Sequence, residues 1–163
     1  MTTFERDILA ILTEDARIPF DRIAAMLASD TETVKATVQD LEKRGVLVKY
    51  TAIVNGEKAD DSLVQAMIEV KVSPKKKEGF DGMAQQIAAF PEVKSVYLMS
   101  GAYDLAVFVE DKTLLQVARF VSERISTFDG VLSTATHFIL KKYKIEGALT
   151  ENELDDNRLC VQA

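Results

Sequence analysis

Between positions 93 and 110 the apolar residues run on both sides of an extended chain. Val96 and Leu98 fall on one side and Tyr97 and Met99 on the other; past the turn, Leu105, Val107 and Val109 alternate with Ala106 and Phe108, which are apolar too. The β-branched and aromatic content favours two strands, and Gly101 supplies the backbone freedom of a tight turn between them. A hairpin apolar on both faces must be covered on both faces. One cover can come from the same chain, the other from a second copy of it. The polar residues Ser100, Tyr103 and Asp104 sit at the turn, within reach of a ligand.

The pattern on either side completes a domain. Positions 63–72 alternate, with Val64, Ala66, Ile68, Val70 and Val72 on one face of a strand. Positions 79–90 place Phe80, Met83, Ala84 and Ile87 at helical spacing, and Pro91 stops the helix. Positions 113–128 predict the clearest helix of the chain, with Leu114, Ala118, Val121, Ile125 and Phe128 inward and Thr113 with Gln116 as a capping box. Gly130 precedes a last strand over 131–142, with Thr134, Thr136, Phe138 and Leu140 on one face. Strand, helix, strand, strand, helix, strand is a ferredoxin-like βαββαβ unit. Two helices cover one face of its sheet. The other face, also apolar, predicts a partner subunit.

Before residue 55 the period is helical. Phe4, Ile8, Ile11 and Leu12 make a helix over 4–14; Ile23, Ala24 and Leu27 a short one over 20–27, with Pro19 at its first turn; Val34, Val38 and Leu41 a third, up to about residue 44. Ser29 or Asp30 can cap the third, and Gly45 ends it. A strand or wing follows over 46–54. This is the plan of a winged helix-turn-helix, whose third helix enters the DNA major groove. The expected fold class is therefore α+β, in four parts: a winged helix-turn-helix DNA-binding domain at 1–55, a polar linker at 56–61, a ferredoxin-like domain at 62–147 for effector binding and oligomerisation, and a C-terminal tail at 148–163.

Charge complicates the DNA reading. The chain has a formal net charge of −6 and a pI of about 4.9. Up to residue 55, seven basic residues face nine acidic ones. On the third helix, the face opposite Val38 carries Glu32, Thr33, Ala36, Gln39, Asp40 and Lys43. Non-specific affinity comes mainly from neutralising phosphates, so this helix makes a poor generic DNA binder unless Lys35, Gln39 and Lys43 make contacts that a dimer doubles. A solvated helix face is the plain alternative.

Other chemistry is sparse. One cysteine, Cys160, gives neither a disulfide framework nor a zinc cluster and suits a reducing cytoplasm. The one histidine, His137, lies inside the last strand, where a structural role is the ordinary one. There is no glycine-rich phosphate loop, metal-ligand spacing or nucleophile with a partner base, so neither an enzyme nor a cofactor is expected. The lysines at 75–77 read as a phosphate contact or a solvated loop. No apolar run is long enough for a membrane span, and no signal-peptide plan opens the chain.

These residues resemble the Lrp/AsnC, or feast/famine, family of transcriptional regulators. The resemblance rests on Ser100, Gly101, Ala102, Tyr103, Asp104 and Leu105 at the central hairpin, Asp7-Ile8-Leu9 in the first helix, the 41–46 run ending the third, Tyr50-Thr51-Ala52, and Thr134 and Thr136 in the last strand. It spans about residues 4–145. It implies a DNA-binding homodimer formed through the sheet, often four dimers joined into an octamer, and a small effector, usually an amino acid, bound near the turn. Carried onto this chain, the effector residues are Met99, Gly101, Tyr103, Asp104, Thr134 and Thr136, with Asp104 pairing an ammonium and the threonine hydroxyls near a carboxylate. The DNA contacts are Thr31, Thr33, Lys35, Ala36, Gln39 and Lys43. The chain departs from the family where several arginines are common and it has Lys35, Ala36, Thr37 and Asp40. That departure raises the alternative of an amino-acid or metabolite sensor with weak or lost DNA binding. The siroheme decarboxylases resemble the same two-domain plan, but the single histidine and the regulator-type turn argue against that activity.

Overall fold

The computed structural model describes residues 1–59, 63–73 and 79–150. The lysine run at 75–77, Cys160 and the acidic residues after 150 lie outside them. The chain divides into two compact units, Met1–Ala52 and Ile53–Ala163.

The first unit is three helices: α1 (Thr3–Glu14), α2 (Phe20–Met26) and α3 (Thr31–Lys43). Ile8, Leu12, Ile23, Ala24, Val34 and Val38 form its core, with Phe4, Ile18, Phe20 and Leu47 packed against them. Local chemistry sets the ends. Thr2 Oγ1 accepts from the Glu5 N–H at 3.1 Å while Glu5 Oε2 accepts from the Thr2 N–H, a reciprocal cap on α1. Between α2 and α3 the chain reverses through Ala28 at φ 49°, and Asp30, not Ser29, caps α3. Gly45 at φ 67° ends α3, where the Val46 N–H returns to the Leu41 carbonyl at 2.9 Å.

The strand or wing expected over 46–54 does not form: among the described residues it has no ladder partner, and Val48 is 86% exposed. β-branched residues favour the extended conformation there, but a strand exists only when its backbone groups find a partner.

The second unit follows the expected order: β1 (Val64–Val72), α4 (Asp81–Ala88), β2 (Val93–Leu98), β3 (Leu105–Asp111), α5 (Leu114–Glu123) and β4 (Val131–Phe138). The sheet runs β2-β3-β1-β4, antiparallel throughout. Its covered face packs Ile68 and Val70 of β1 and Val107 of β3 against Ile87 of α4 and Val117, Phe120 and Ile125. Phe90 meets Phe120 and Phe128 edge-on, at centroid distances of 5.4 and 6.0 Å.

Four expectations change. The long helix over 113–128 stops at Glu123 and continues as a single 3-10 turn, Ile125–Thr127, because the Thr127 hydroxyl bonds back to the carbonyls of Glu123 and Arg124. Its inward stripe is Val117, Phe120, Val121 and Ile125, while Leu114 and Ala118 are exposed; turning the helix this way buries the larger Phe120. Thr113 caps α5 through the Gln116 N–H at 3.1 Å, with a hydroxyl-to-Gln116 Oε1 bond at 3.0 Å beside it. The last strand ends at Phe138, opposite Ala66, rather than at 142, and the ladder closes on one further bond, Ile139 N–H to the Gln65 carbonyl at 2.9 Å. Beyond it, Lys144–Ile145 and Ala148–Leu149 pair as a small hairpin through Glu146 and Gly147, both at positive φ, so 148–150 are built into this unit rather than opening a tail.

The uncovered sheet face is mixed rather than uniformly apolar. Met67, Tyr97, Ala106 and Phe108 form an apolar stripe, with Tyr97 edge-on to Phe108 at 5.9 Å, while Glu69 pairs with His137 Nε2 at 3.3 Å toward the β4 edge.

Candidate functional site

α3 is amphipathic by construction. Val34, Val38 and Leu41 are buried, while Thr31, Thr33, Lys35, Ala36, Gln39 and Lys43 are all exposed. Asp30 holds the first turn, accepting from the Thr33 N–H at 2.8 Å and the Thr33 hydroxyl at 2.6 Å. The Thr33 hydroxyl, then its N–H, draws the Asp30 carboxyl below its ordinary value. Thr33 is therefore partly committed to capping.

Two of the three acidic residues of this helix, Asp40 and Glu42, have partners, while Glu32 in its first turn is exposed. Asp40 Oδ2 pairs with Arg44 Nε at 2.7 Å, one turn on, and the Arg44 guanidinium also grips Glu5 of α1. Thr2 and Arg44 together lower the Glu5 carboxyl, and Glu5 in turn raises Arg44. Glu42 accepts from the Tyr50 hydroxyl at 2.9 Å; partial burial, then Glu42, pushes that phenol up to about 12. Arg44 was missed as a member of this surface, although its i,i+4 spacing from Asp40 is a readable pairing signal.

At the hairpin, the Met99 N–H donates to the Asp104 carbonyl at 2.8 Å, closing the turn over 100–103, where Gly101 is exposed and Tyr103 half-buried. The Asp104 N–H donates to the Val70 carbonyl at 3.1 Å. Its carboxylate Oδ2 accepts from the Val72 N–H at 2.8 Å. That amide sits where the β1–β4 register shifts between Lys71 and Val72, so the aspartate satisfies a donor beside the irregularity. Oδ1 accepts no hydrogen bond among the described residues.

The other two predicted effector residues are on β4. Thr134 lies opposite Val70, and Val70 opposite Leu105, so Thr134 and the turn residue Asp104 flank β1 at nearly one level, about 10 Å apart by strand spacing. Thr136 is a full pleat farther down, opposite Ile68. Both threonines lie in register with the covered face, and the Thr134 hydroxyl is 3.3 Å from that of Ser126. Met99, Gly101, Tyr103 and Asp104 thus form one cluster, Thr134 borders it, and Thr136 is set apart.

Comparison with known proteins matches both halves. The AsnC-type helix-turn-helix domain matches residues 1–42 and the Lrp/AsnC ligand binding domain residues 65–149. The chain is 47% identical over 162 residues to YugG, an HTH-type transcriptional regulator of Bacillus subtilis, covering 99% of this chain and 98% of that one. It is 34% identical over 142 residues to the transcriptional regulator LrpA of Pyrococcus horikoshii, covering 86% and 98%. In fold it is similar to the regulator NMB0573 of Neisseria meningitidis, solved as a complex with L-Met, with a TM-score of 0.69, 22% identity, and 95% and 97% of the two chains covered. No helix among the described residues is long and apolar enough to cross a membrane. The family is one of regulators rather than enzymes, its helix-turn-helix takes DNA as partner, and this chain belongs to it: it is a transcriptional regulator of the Lrp/AsnC family.

Proposed function

We propose that this regulator responds to an amino acid held at the 100–104 turn and passes that response to DNA read by α3. The observation that carries the reading is Asp104: the Val72 amide fixes one carboxylate oxygen, which leaves the other oriented at a turn as an acceptor for an ammonium group. The L-Met complex of a protein with the same fold supports that ligand class. Met99, Gly101 and Tyr103 complete the pocket, and Thr134 is better placed than Thr136 to meet a ligand carboxylate.

Thr31, Thr33, Lys35, Ala36, Gln39 and Lys43 form the DNA-facing surface of α3. The Asp40–Arg44 pair supports this, because it screens a carboxylate that would otherwise repel phosphate. The apolar stripe of Met67, Tyr97, Ala106 and Phe108 supports a homodimer through the sheet, with dimers joining toward an octamer in the cytoplasm. Effector and DNA are then linked reciprocally through the assembly.

A gel-shift titration tests this, using DNA from upstream of the protein's own gene and a scrambled control, at two salt concentrations, with and without the twenty amino acids. A selective shift that moves with the amino acids is expected, and subdividing the mixture identifies the effector. A selective shift indifferent to all twenty would overturn the amino-acid assignment. No shift at either salt would favour a sensor that has lost DNA binding.

A further inference from the structure

Far from the turn, the second unit contains a cleft of about 560 Å³, a size that suits a small organic ligand. Val54, Leu63, Ile139 and Ile145 give it apolar walls, and Gln65 and Glu110 supply polar groups. Its shape is held by side-chain bonds. Asn55 Nδ2 donates to the Thr150 carbonyl at 2.6 Å and the Thr150 hydroxyl to the Lys142 carbonyl at 2.5 Å, tying the 54–57 segment to the terminal hairpin. Glu110 lies six residues beyond Asp104 on one strand path, about 20 Å away at the ordinary strand rise.

The carboxylate of Glu110 is the chemically informative group. Its side chain is 19% exposed. Oε2 accepts from Gln65 Nε2 at 2.7 Å, which orients the group, while Oε1 meets Lys94 Nζ at 3.3 Å. Lys94 is 54% exposed, so this second partner is a weakly held surface ammonium at the strand edge. Another ammonium can take its place, and one attached to an apolar body would also bury that body against Leu63, Ile139 and Ile145.

We propose that this cleft is a second ligand site, separate from the 100–104 turn, for a small amine with a branched apolar body. The amine is bound by exchange: its ammonium replaces Lys94 on Glu110, and its hydrocarbon fills the apolar walls. An amino acid and its decarboxylated amine share this chemistry. They differ only in a carboxylate, which the Lys142 side of the cleft can meet.

Isothermal titration of the full chain in an Asp104→Asn background, which disables the proposed turn site, tests the cleft alone. The probes are 3-methylbutylamine and L-leucine. Saturable binding of the amine, one per chain, is expected. Glu110→Gln should weaken it by about tenfold or more, the scale of losing one charge-assisted bond. Lys94→Ala should tighten it severalfold, because the resident competitor is gone; a merely structural Glu110–Lys94 pair would not do this. Tighter binding of leucine than of the amine adds the carboxylate contact, and equal or weaker binding leaves the ammonium and hydrocarbon as the recognised groups. No saturable heat at millimolar amine, or an affinity indifferent to both Glu110→Gln and Lys94→Ala, overturns the proposal. Because Asp104 is disabled throughout, these results do not depend on the turn site, and loss of the turn site does not predict them.

Discussion

Carboxylates on the surfaces of the two units are put to opposite uses. In the helix-turn-helix unit, Asp30 caps a helix, Glu5 does the same while pairing with Arg44, and Asp40 pairs with the other side of that guanidinium. Much of the acid is consumed there, and Lys35, Gln39 and Lys43, with Glu32 in the first turn, are left to define the exposed side of α3. In the sheet unit, Asp104 and Glu110 at opposite ends of β3 each commit one oxygen to the fold, on the Val72 amide and on Gln65, while the second accepts no bond among the described residues in Asp104 and meets only the exposed Lys94 ammonium in Glu110. A small acidic protein can thus cancel many of its acids locally in the unit that meets DNA and, on the proposed reading, keep others loosely held in the unit that would take an ammonium ligand. Net charge, which averages over both, predicts neither.

The largest expected effect tests whether the units are separate at all. Ile23 is fully buried in the small core of the first unit and Ile68 in the larger core of the second. Truncating either to alanine should cost about 2–5 kcal/mol, yet a unit of this small size has only a few kcal/mol to lose. Ile23→Ala should therefore abolish amide-exchange protection in α1–α3 while β1 and β3 stay protected. Protection lost from both units together would mean they unfold as one, and the regional comparison would fail.

Next in size is Asp104. Alanine there leaves the Val72 amide without its acceptor, at a cost of about 1–3 kcal/mol, whereas asparagine keeps an acceptor and removes only the charge. Asp104→Ala should lower thermal stability and effector affinity together. Asp104→Asn should lower effector affinity about tenfold at nearly unchanged stability. An asparagine variant that binds effector normally would reduce this carboxylate to a backbone acceptor.

What the sequence revealed follows from the range of the interactions. Helices, strands, their order and the α3 face came from local periodicity, and the Asp40–Arg44 pair was readable at one helical turn. The bond from Asp104 to Val72 spans 32 positions and depends on a register irregularity, so no local pattern announces it. The α5 stripe was displaced because two apolar rows on that helix compete and only packing against the sheet selects the one with Phe120. The wing over 46–54 was misread because its residues favour extension, while pairing requires a partner outside that local sequence.

A smaller effect separates two neighbouring cations. Lys43 should make an ordinary phosphate contact, so Lys43→Ala should reduce the slope of log affinity against log salt by about one. Arg44 acts differently, by screening Asp40. Arg44→Ala should weaken DNA binding, and adding Asp40→Asn should restore much of the loss by removing the unscreened carboxylate. If the double variant binds no better than Arg44→Ala, Arg44 contacts phosphate itself.

The smallest effect is in acid. Asp30 and Glu5 are held below their ordinary values of 3.8 and 4.5 by the bonds their ionised forms accept. The native state therefore keeps these carboxylates ionised where the unfolded chain would protonate them. Their contribution is complete above about 4.5 and is lost as pH falls past the ordinary values toward the lowered ones. Thermal unfolding followed from neutral pH into acid should show the midpoint of the helix-turn-helix unit falling through that window. Asp30→Asn and Glu5→Gln keep acceptors at both caps but cannot titrate. The double variant should hold its neutral-pH midpoint closely and descend less steeply in acid. An equally steep descent would place the acid sensitivity on other groups, and the contrast between acids consumed by the first unit and acids presented by the second would lose its thermodynamic support.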